Sequence, residues 1–291
     1  MIDQKADAAL AGLVLAAEDT YDQASSEASG AAILTPAVDA RLTARYRLRG
    51  YVVGTDALFR RGAALEAAGE RVFYGAFLES TTAQGEFLCV IRGTAGLIEW
   101  LEDGEFIPRP HPRAGRCEWG FWSIYQSFGY RPCGGTIDAP LVASITSAVG
   151  SGRLTVAGHS LGAALATYLA VDLADPQRLG KRVSLRAFAS PRPGDGLFAQ
   201  YAGALLSDFR TYARELDIVP RVPVGFSYAS LPTTEIPWDA NGVRVRLSAG
   251  AAGQHHLTSY MSQMDVASIS GLPAIDDKYL AALILPSKAA A

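Results

Sequence analysis

Gly158-His-Ser-Leu-Gly162 is the stretch of this chain best suited to chemistry. A serine hydroxyl attacks a carbonyl carbon only when a base takes its proton and the backbone lifts it clear of its neighbours. Leu154 to Ala157 precedes the stretch as a short apolar run, which predicts a buried parallel strand. Leu161, Leu165, Leu169 and Leu173 follow at four-residue spacing, which predicts the core face of a helix, and Asp175-Pro176 stops it. The tight turn between strand and helix tolerates no side chains at its flanks, and Gly158 and Gly162 give that clearance around His159 and Ser160. Ser160 is therefore the expected nucleophile. The backbone N–H of Leu161, at the start of the helix, can face a developing oxyanion.

A serine nucleophile needs an imidazole and a carboxylate, in the chain order Ser, Asp/Glu, His when the turn has this form. The chain has four histidines: His111, His159 and the adjacent pair His255-His256. Only the pair follows the serine at a distance, so His255 and His256 are both candidates for the base. The carboxylates to be weighed are Asp195, Glu215 and Asp217. Asp195 sits in a Pro/Gly turn before the helix expected over Gly196 to Leu206 and reads as its cap. Asp172 and Asp175 lie on or after the helix that follows Ser160 and point away from it.

Around these residues the elements alternate in type. Helices are expected over Ala6 to Asp22, Ala139 to Val149 and Ala274 to Ile284. Strands are expected over Tyr46 to Val53, Arg71 to Leu78, Glu86 to Ile91, Val183 to Ala189, Phe209 to Ala213 and Val243 to Leu247, the last near a sheet edge. Gln23 to Gly30 reads as a linker and Gly104 to Arg116 as a surface loop. Phe226 to Trp238 reads as irregular. The chain has 291 residues, 49% of them hydrophobic, enough for a large core in one α/β domain over 1–291, with 1–30 as its N-terminal helix and linker.

The net charge of −3 is spread without a basic stripe, which argues against nucleic acid as a partner. The histidines and the three cysteines show no metal-ligand spacing, and no metal or organic cofactor is expected. Cys89 reads as a buried thiol, and a Cys117–Cys133 bridge is compatible with the sequence. No run reaches transmembrane length. The first seven residues carry two acids and one base, the wrong sign for a signal peptide, so a cytoplasmic location is expected over a secreted one.

Several of these segments resemble one family. Gly158-His-Ser-Leu-Gly-Ala-Ala-Leu-Ala166 is similar to the nucleophile elbow of class 3 (fungal-type) lipases, a branch of the α/β-hydrolases, with Ala163 where the family usually has Gly. Arg92-Gly-Thr94 after the strand resembles the family's F-R-G-[ST], with Ile91 for the Phe. Glu118-Trp-Gly-Phe121 resembles its V-H-x-G-F, with Glu118 for the His. Ser190-Pro-Arg-Pro-Gly194 and Asp217-Ile-Val-Pro-Arg-Val-Pro223 match two further turns. The resemblance covers most of residues 85 to 262. It implies an α/β-hydrolase fold, a mostly parallel central sheet with helices on both faces. It also implies a serine carboxylic-ester hydrolase, a lipase, working through an acyl-enzyme.

By the same resemblance Asp217 is the triad acid, with Glu215 two residues early. His255 is the base, since Leu257 and Tyr260 follow it at the family's spacing, although the shorter spacing of some members keeps His256 in play. Thr94 supplies the first oxyanion N–H and Leu161 the second. The implied partner is a lipid or other ester substrate, and Ala95 to Leu101 would form a small lid at a lipid–water interface. Phospholipase A1 or feruloyl esterase action on the same machinery is the nearest alternative. A lipase-like interaction module without chemistry is the alternative from another class, and it should show a broken triad.

Overall fold

A computed structural model describes residues 4–27, 34–58, 66–94, 105–225, 227–245, 250–269 and 284–286. The expected lid, Ala95 to Leu101, lies outside the described residues. So does the expected closing helix from Ala274, except for Ile284, which begins a short strand.

The strands are β1 (Tyr46–Leu58), β2 (Glu66–Ser80), β3 (Glu86–Ile91), β4 (Pro108–Pro110), β5 (Arg116–Glu118), β6 (Gly129–Pro132), β7 (Ala139–Pro140), β8 (Arg153–His159), β9 (Val183–Phe188), β10 (Asp208–Arg214), β11 (Thr233–Ile236), β12 (Val243–Val245) and β13 (Ile284–Pro286). Nine of them form one sheet in the order β11-β10-β9-β8-β3-β2-β1-β6-β7. The half from β3 to β11 is parallel, and β2, β1, β6 and β7 continue it antiparallel. The helices are α1 (Gln4–Glu27), α2 (Ala40–Thr43), α3 (Trp119–Gln126), α4 (Leu141–Val149), α5 (Leu161–Leu173), α6 (Gly196–Leu205), α7 (Gly250–His255) and α8 (Leu257–Met264).

Side chains alternate across a strand with period two, and the sheet uses that to feed two cores. Phe87, Cys89 and Ile91 of β3, with Leu154 and Val156 of β8, pack toward α3, α4, α5 and α6. Leu88, Val90 and Ala157 pack on the opposite face against α1 and α8. Both faces are covered, so the strands read as near-continuous apolar runs. The sheet with helices on both faces is an α/β-hydrolase architecture.

Several local expectations are corrected. Helix α1 runs through Glu27, so Gln23 to Glu27 are helical rather than linker. Its Asp7 is buried, accepting hydrogen bonds from Arg186 Nε (2.9 Å), Arg210 (2.8 Å) and the Tyr212 hydroxyl (2.5 Å). Helix α5 was expected to bury one leucine face. Ala163, Ala164, Ala166 and Ala170 are buried as well, because the helix lies in the core rather than on the surface. The segment expected to be a loop holds the β4–β5 hairpin, its turn closed by Gly115 at φ +63°. The irregular Phe226 to Trp238 contains the edge strand β11, where Thr233, Thr234 and Ile236 suit a pleated surface. Val243 to Val245 is a strand but lies off the central sheet: among the described residues it pairs with β13 in a separate two-stranded ribbon. Cys117 is buried, Cys133 is exposed and both are free thiols, so the bridge is not formed.

Candidate active site

Ser160 stands between β8 and α5 with φ 59° and ψ −134°. A non-glycine residue with positive φ is strained, and the strain persists only where packing over-determines it. The packing here is tight. A Cβ on Gly158 would lie 2.4 Å from the carbonyl oxygen of Gly162, and one on Gly162 would lie 2.2 Å from that of Arg92. The Ser160 N–H donates to the Phe188 carbonyl at 3.0 Å, and the Ser160 carbonyl accepts from Ala163 N–H at 2.9 Å. Gly162→Ala should therefore lower stability by about 3 kcal/mol, because its methyl meets backbone rather than a movable side chain. The midpoint of urea unfolding checks this, and an unchanged midpoint would contradict the packing argument.

The two open choices separate in space. His255, the last residue of α7, places Nε2 2.8 Å from Ser160 Oγ and Nδ1 2.9 Å from Asp217 Oδ2. His256 turns away and caps α8, its Nδ1 accepting from the N–H (3.3 Å) and hydroxyl (2.8 Å) of Thr258. Glu215 accepts from Trp238 N–H at 3.2 Å, while Asp217 is buried at the imidazole. The other Asp217 oxygen accepts from Val219 N–H at 2.9 Å, so the turn between β10 and Pro220 fixes the carboxylate. Asp195, the third carboxylate weighed, caps α6 by accepting from Phe198 N–H at 2.9 Å.

Ser160, Asp217 and His255 are all less than 7% exposed. Burial pulls His255 below the ordinary imidazole value, and the Asp217 carboxylate pulls it back in part. Thr94 is half-buried at the end of the β3 turn. The preceding Gly93 comes so near that a Cβ on it would lie 3.1 Å from the Cβ of Ser160. Leu161 is buried at the first position of α5. Glu118, which departs from the family's His, is also buried. It caps α3 through Phe121 N–H (2.8 Å), and burial pushes its carboxyl up to about 7. Among the described residues, no cluster of three or more His, Cys, Asp or Glu side chains could hold a metal ion.

Two residues at the site escape sequence reasoning. The Tyr260 hydroxyl donates to Asp217 Oδ2 at 2.6 Å and accepts from Arg214 N–H at 3.1 Å. Its spacing after His255 is visible in the sequence, but its partner is 43 positions away. Glu18 of α1 accepts from the ring of His159 at 2.8 Å and from Gly93 N–H at 3.0 Å. Contacts spanning 141 positions leave no local signal.

Together the sheet, the strained serine turn and the buried Ser–His–Asp chain of hydrogen bonds are those of an α/β-hydrolase. Residues 88–226, which carry the serine turn and Asp217, match the family model Lipase (class 3), and over that stretch the chain is similar to the class 3 lipases. It is 32% identical over 144 residues to the secreted mono- and diacylglycerol lipase A of Penicillium cyclopium, covering 46% of this chain and 41% of that protein. It is 30% identical over 150 residues to a lipase of Rhizomucor miehei, covering 48% and 39%. The chain thus spans about two fifths of the length of these curated relatives. In fold it is similar to the Rhizomucor miehei lipase in its propeptide complex, with a TM-score of 0.56 at 20% identity over 81% of this chain and 70% of that one.

These relatives correct the cytoplasmic expectation. A relative is named a secreted lipase, which points to an extracellular setting. The charge of Asp7 misled because it belongs to a folded helix, where it pairs with the buried Arg186 and the half-buried Arg210 and so reports packing rather than compartment.

Proposed function

We propose that the protein is an extracellular serine carboxylic-ester hydrolase, a lipase acting on acylglycerols, with residues 1–291 working as one hydrolase domain. The observation that carries this reading is the unbroken chain from Ser160 Oγ through His255 to Asp217 at the head of α5. Ser160 attacks the ester carbonyl while His255 Nε2 takes its proton. The N–H groups of Thr94 and Leu161 receive the oxyanion, and His255 returns the proton to the leaving alcohol. Water activated by the same imidazole then releases the acid from the acyl-enzyme. Asp217 holds the imidazole with Nδ1 protonated, and Tyr260 in turn holds Asp217. The mono- and diacylglycerol lipase among the relatives supports an acylglycerol as substrate. Leu216, Ile218 and Val224, exposed on the loop that carries Asp217, suit a substrate presented at a lipid surface. Among the described residues, no helix is long and apolar enough to cross a membrane.

A hydrolysis panel tests the reading. It would contain p-nitrophenyl esters from short to long acyl chains, mono-, di- and triacylglycerol emulsions, phospholipid and a feruloyl ester. Turnover of acylglycerols above all others supports a lipase. Preference for phospholipid or the feruloyl ester would shift the substrate class on the same machinery, and no turnover of any ester would overturn it.

The same site sets a pH dependence. His255 must be neutral to accept the serine proton, and burial holds its value below that of a free imidazole. On a soluble short-chain ester, kcat/KM should be on its plateau at pH 7. It should fall only as the pH drops through that depressed value. An acid limb above the ordinary imidazole value would contradict the buried geometry.

A further inference from the structure

His159 lies within the serine turn, yet the mechanism above leaves it without a task. Its ring is buried between two acceptors. Nδ1 is 2.8 Å from Glu18 Oε1, and Nε2 is 3.0 Å from the backbone carbonyl of His255. A neutral imidazole carries one N–H and can satisfy only one of them, whereas an imidazolium donates to both. The ring is also stacked on the ring of His255, with centroids 4.8 Å apart and planes 28° from parallel. The oxygen of Glu18 that holds His159 also accepts from Gly93 N–H at 3.0 Å, immediately before Thr94.

We infer that Glu18 and His159 are a positioning pair, in which the N-terminal helix holds His159 as an imidazolium against His255 and fixes the turn that faces Ser160. The inference rests on the reading of His255 as the base. A cation stacked on that base opposes its protonation, so it keeps the base neutral to lower pH. Other charged or titratable groups surround the pair. Asp19, Tyr21 and Asp22 come from α1, Arg92 from the end of β3, Asp217 from the turn after β10, His256 from the N-cap of α8 and Tyr260 from α8 itself. Asp19 engages Arg41, and Arg92 lies over the ring of Tyr21 at 3.5 Å. The charge nearest to His159 is therefore Glu18. Burial alone would push His159 down, but Glu18 outweighs it and holds the imidazolium above the ordinary value. For Glu18 burial would act upward, and His159 with the Gly93 N–H holds the carboxyl below its ordinary value.

The test is an imidazole 15N titration of the four histidines in the full chain, wild type beside Glu18→Gln and His159→Gln, with kcat/KM profiles on a soluble ester. In the wild type, both ring nitrogens of His159 should be protonated at pH 7. Removing the cation should raise the His255 midpoint, and with it the acid limb, by about one pH unit. On the acid side this costs about ten-fold in kcat/KM, against about two-fold or less at pH 8. Glu18→Gln should shift His255 in the same direction but less, because a carboxylate is lost along with the cation. A merely structural pair would lower kcat at every pH and leave the midpoint in place. A neutral His159 in the wild type, or an unmoved His255 midpoint in whichever variant folds, overturns the inference. The 15N midpoints need no turnover, so a wild type that cleaved no ester would refute the catalytic reading while these midpoints still decided the charge of His159.

Discussion

Ser160→Ala is expected to fold normally and to lose ester hydrolysis by three or more orders of magnitude, about what loss of a nucleophile costs. The folding half of this expectation comes from the turn. Alanine at φ 59° keeps the same strained backbone, held by the Phe188 carbonyl and by the glycines on either side. The catalytic half comes from the 2.8 Å contact between Ser160 Oγ and His255 Nε2, which the variant cannot make. The oxyanion donors would survive, so a residual rate above background should remain. Labelling by a fluorophosphonate probe and turnover of p-nitrophenyl butyrate measure both halves. Undiminished turnover by a folded variant would remove Ser160 from the mechanism.

His255→Ala should be as damaging as Ser160→Ala, while the neighbouring His256→Ala should cost little turnover. The contrast is sharp because two adjacent imidazoles do different work. One completes the contact between Ser160 and Asp217, and the other caps a helix. Removing the cap should cost about 1 kcal/mol of stability, as other caps do. It would be seen as a lowered melting temperature with kcat nearly intact. Removing His255 should leave the melting temperature far less affected than the rate. If His256→Ala were the inactive variant, the base would move by one residue and the stacked pair of His159 and His255 would lose its catalytic meaning.

Much of the site is local in the chain and was legible there. The serine turn depends on a strand, two glycines and a helix within twenty residues, and each obeys a short-range rule: a buried run, a missing Cβ, a four-residue leucine spacing. The parallel strands β3 and β8 were legible for the same reason, since burial on both faces makes a strand a near-continuous apolar run. Strands with mixed sides showed less. β11 gains its place by pairing with β10, and the alternation of Val243 to Leu247 marked a strand but not its partner some forty residues later in the chain. The sequence also narrowed the base to two adjacent histidines and the acid to two neighbouring carboxylates, because chain order and spacing limit which residues can reach a serine turn. The family resemblance favoured His255 and Asp217, and the tertiary structure gives the direction of each side chain. One residue of offset at the end of α7 points His255 inward and His256 outward, a difference of direction that composition does not carry. Tertiary structure alone brought Glu18 under the serine turn. A hydrogen bond from α1 to His159 exists because α1 packs on the face of the sheet beside β8, whose last residue is His159, and only the assembled fold brings residues 141 positions apart to 2.8 Å.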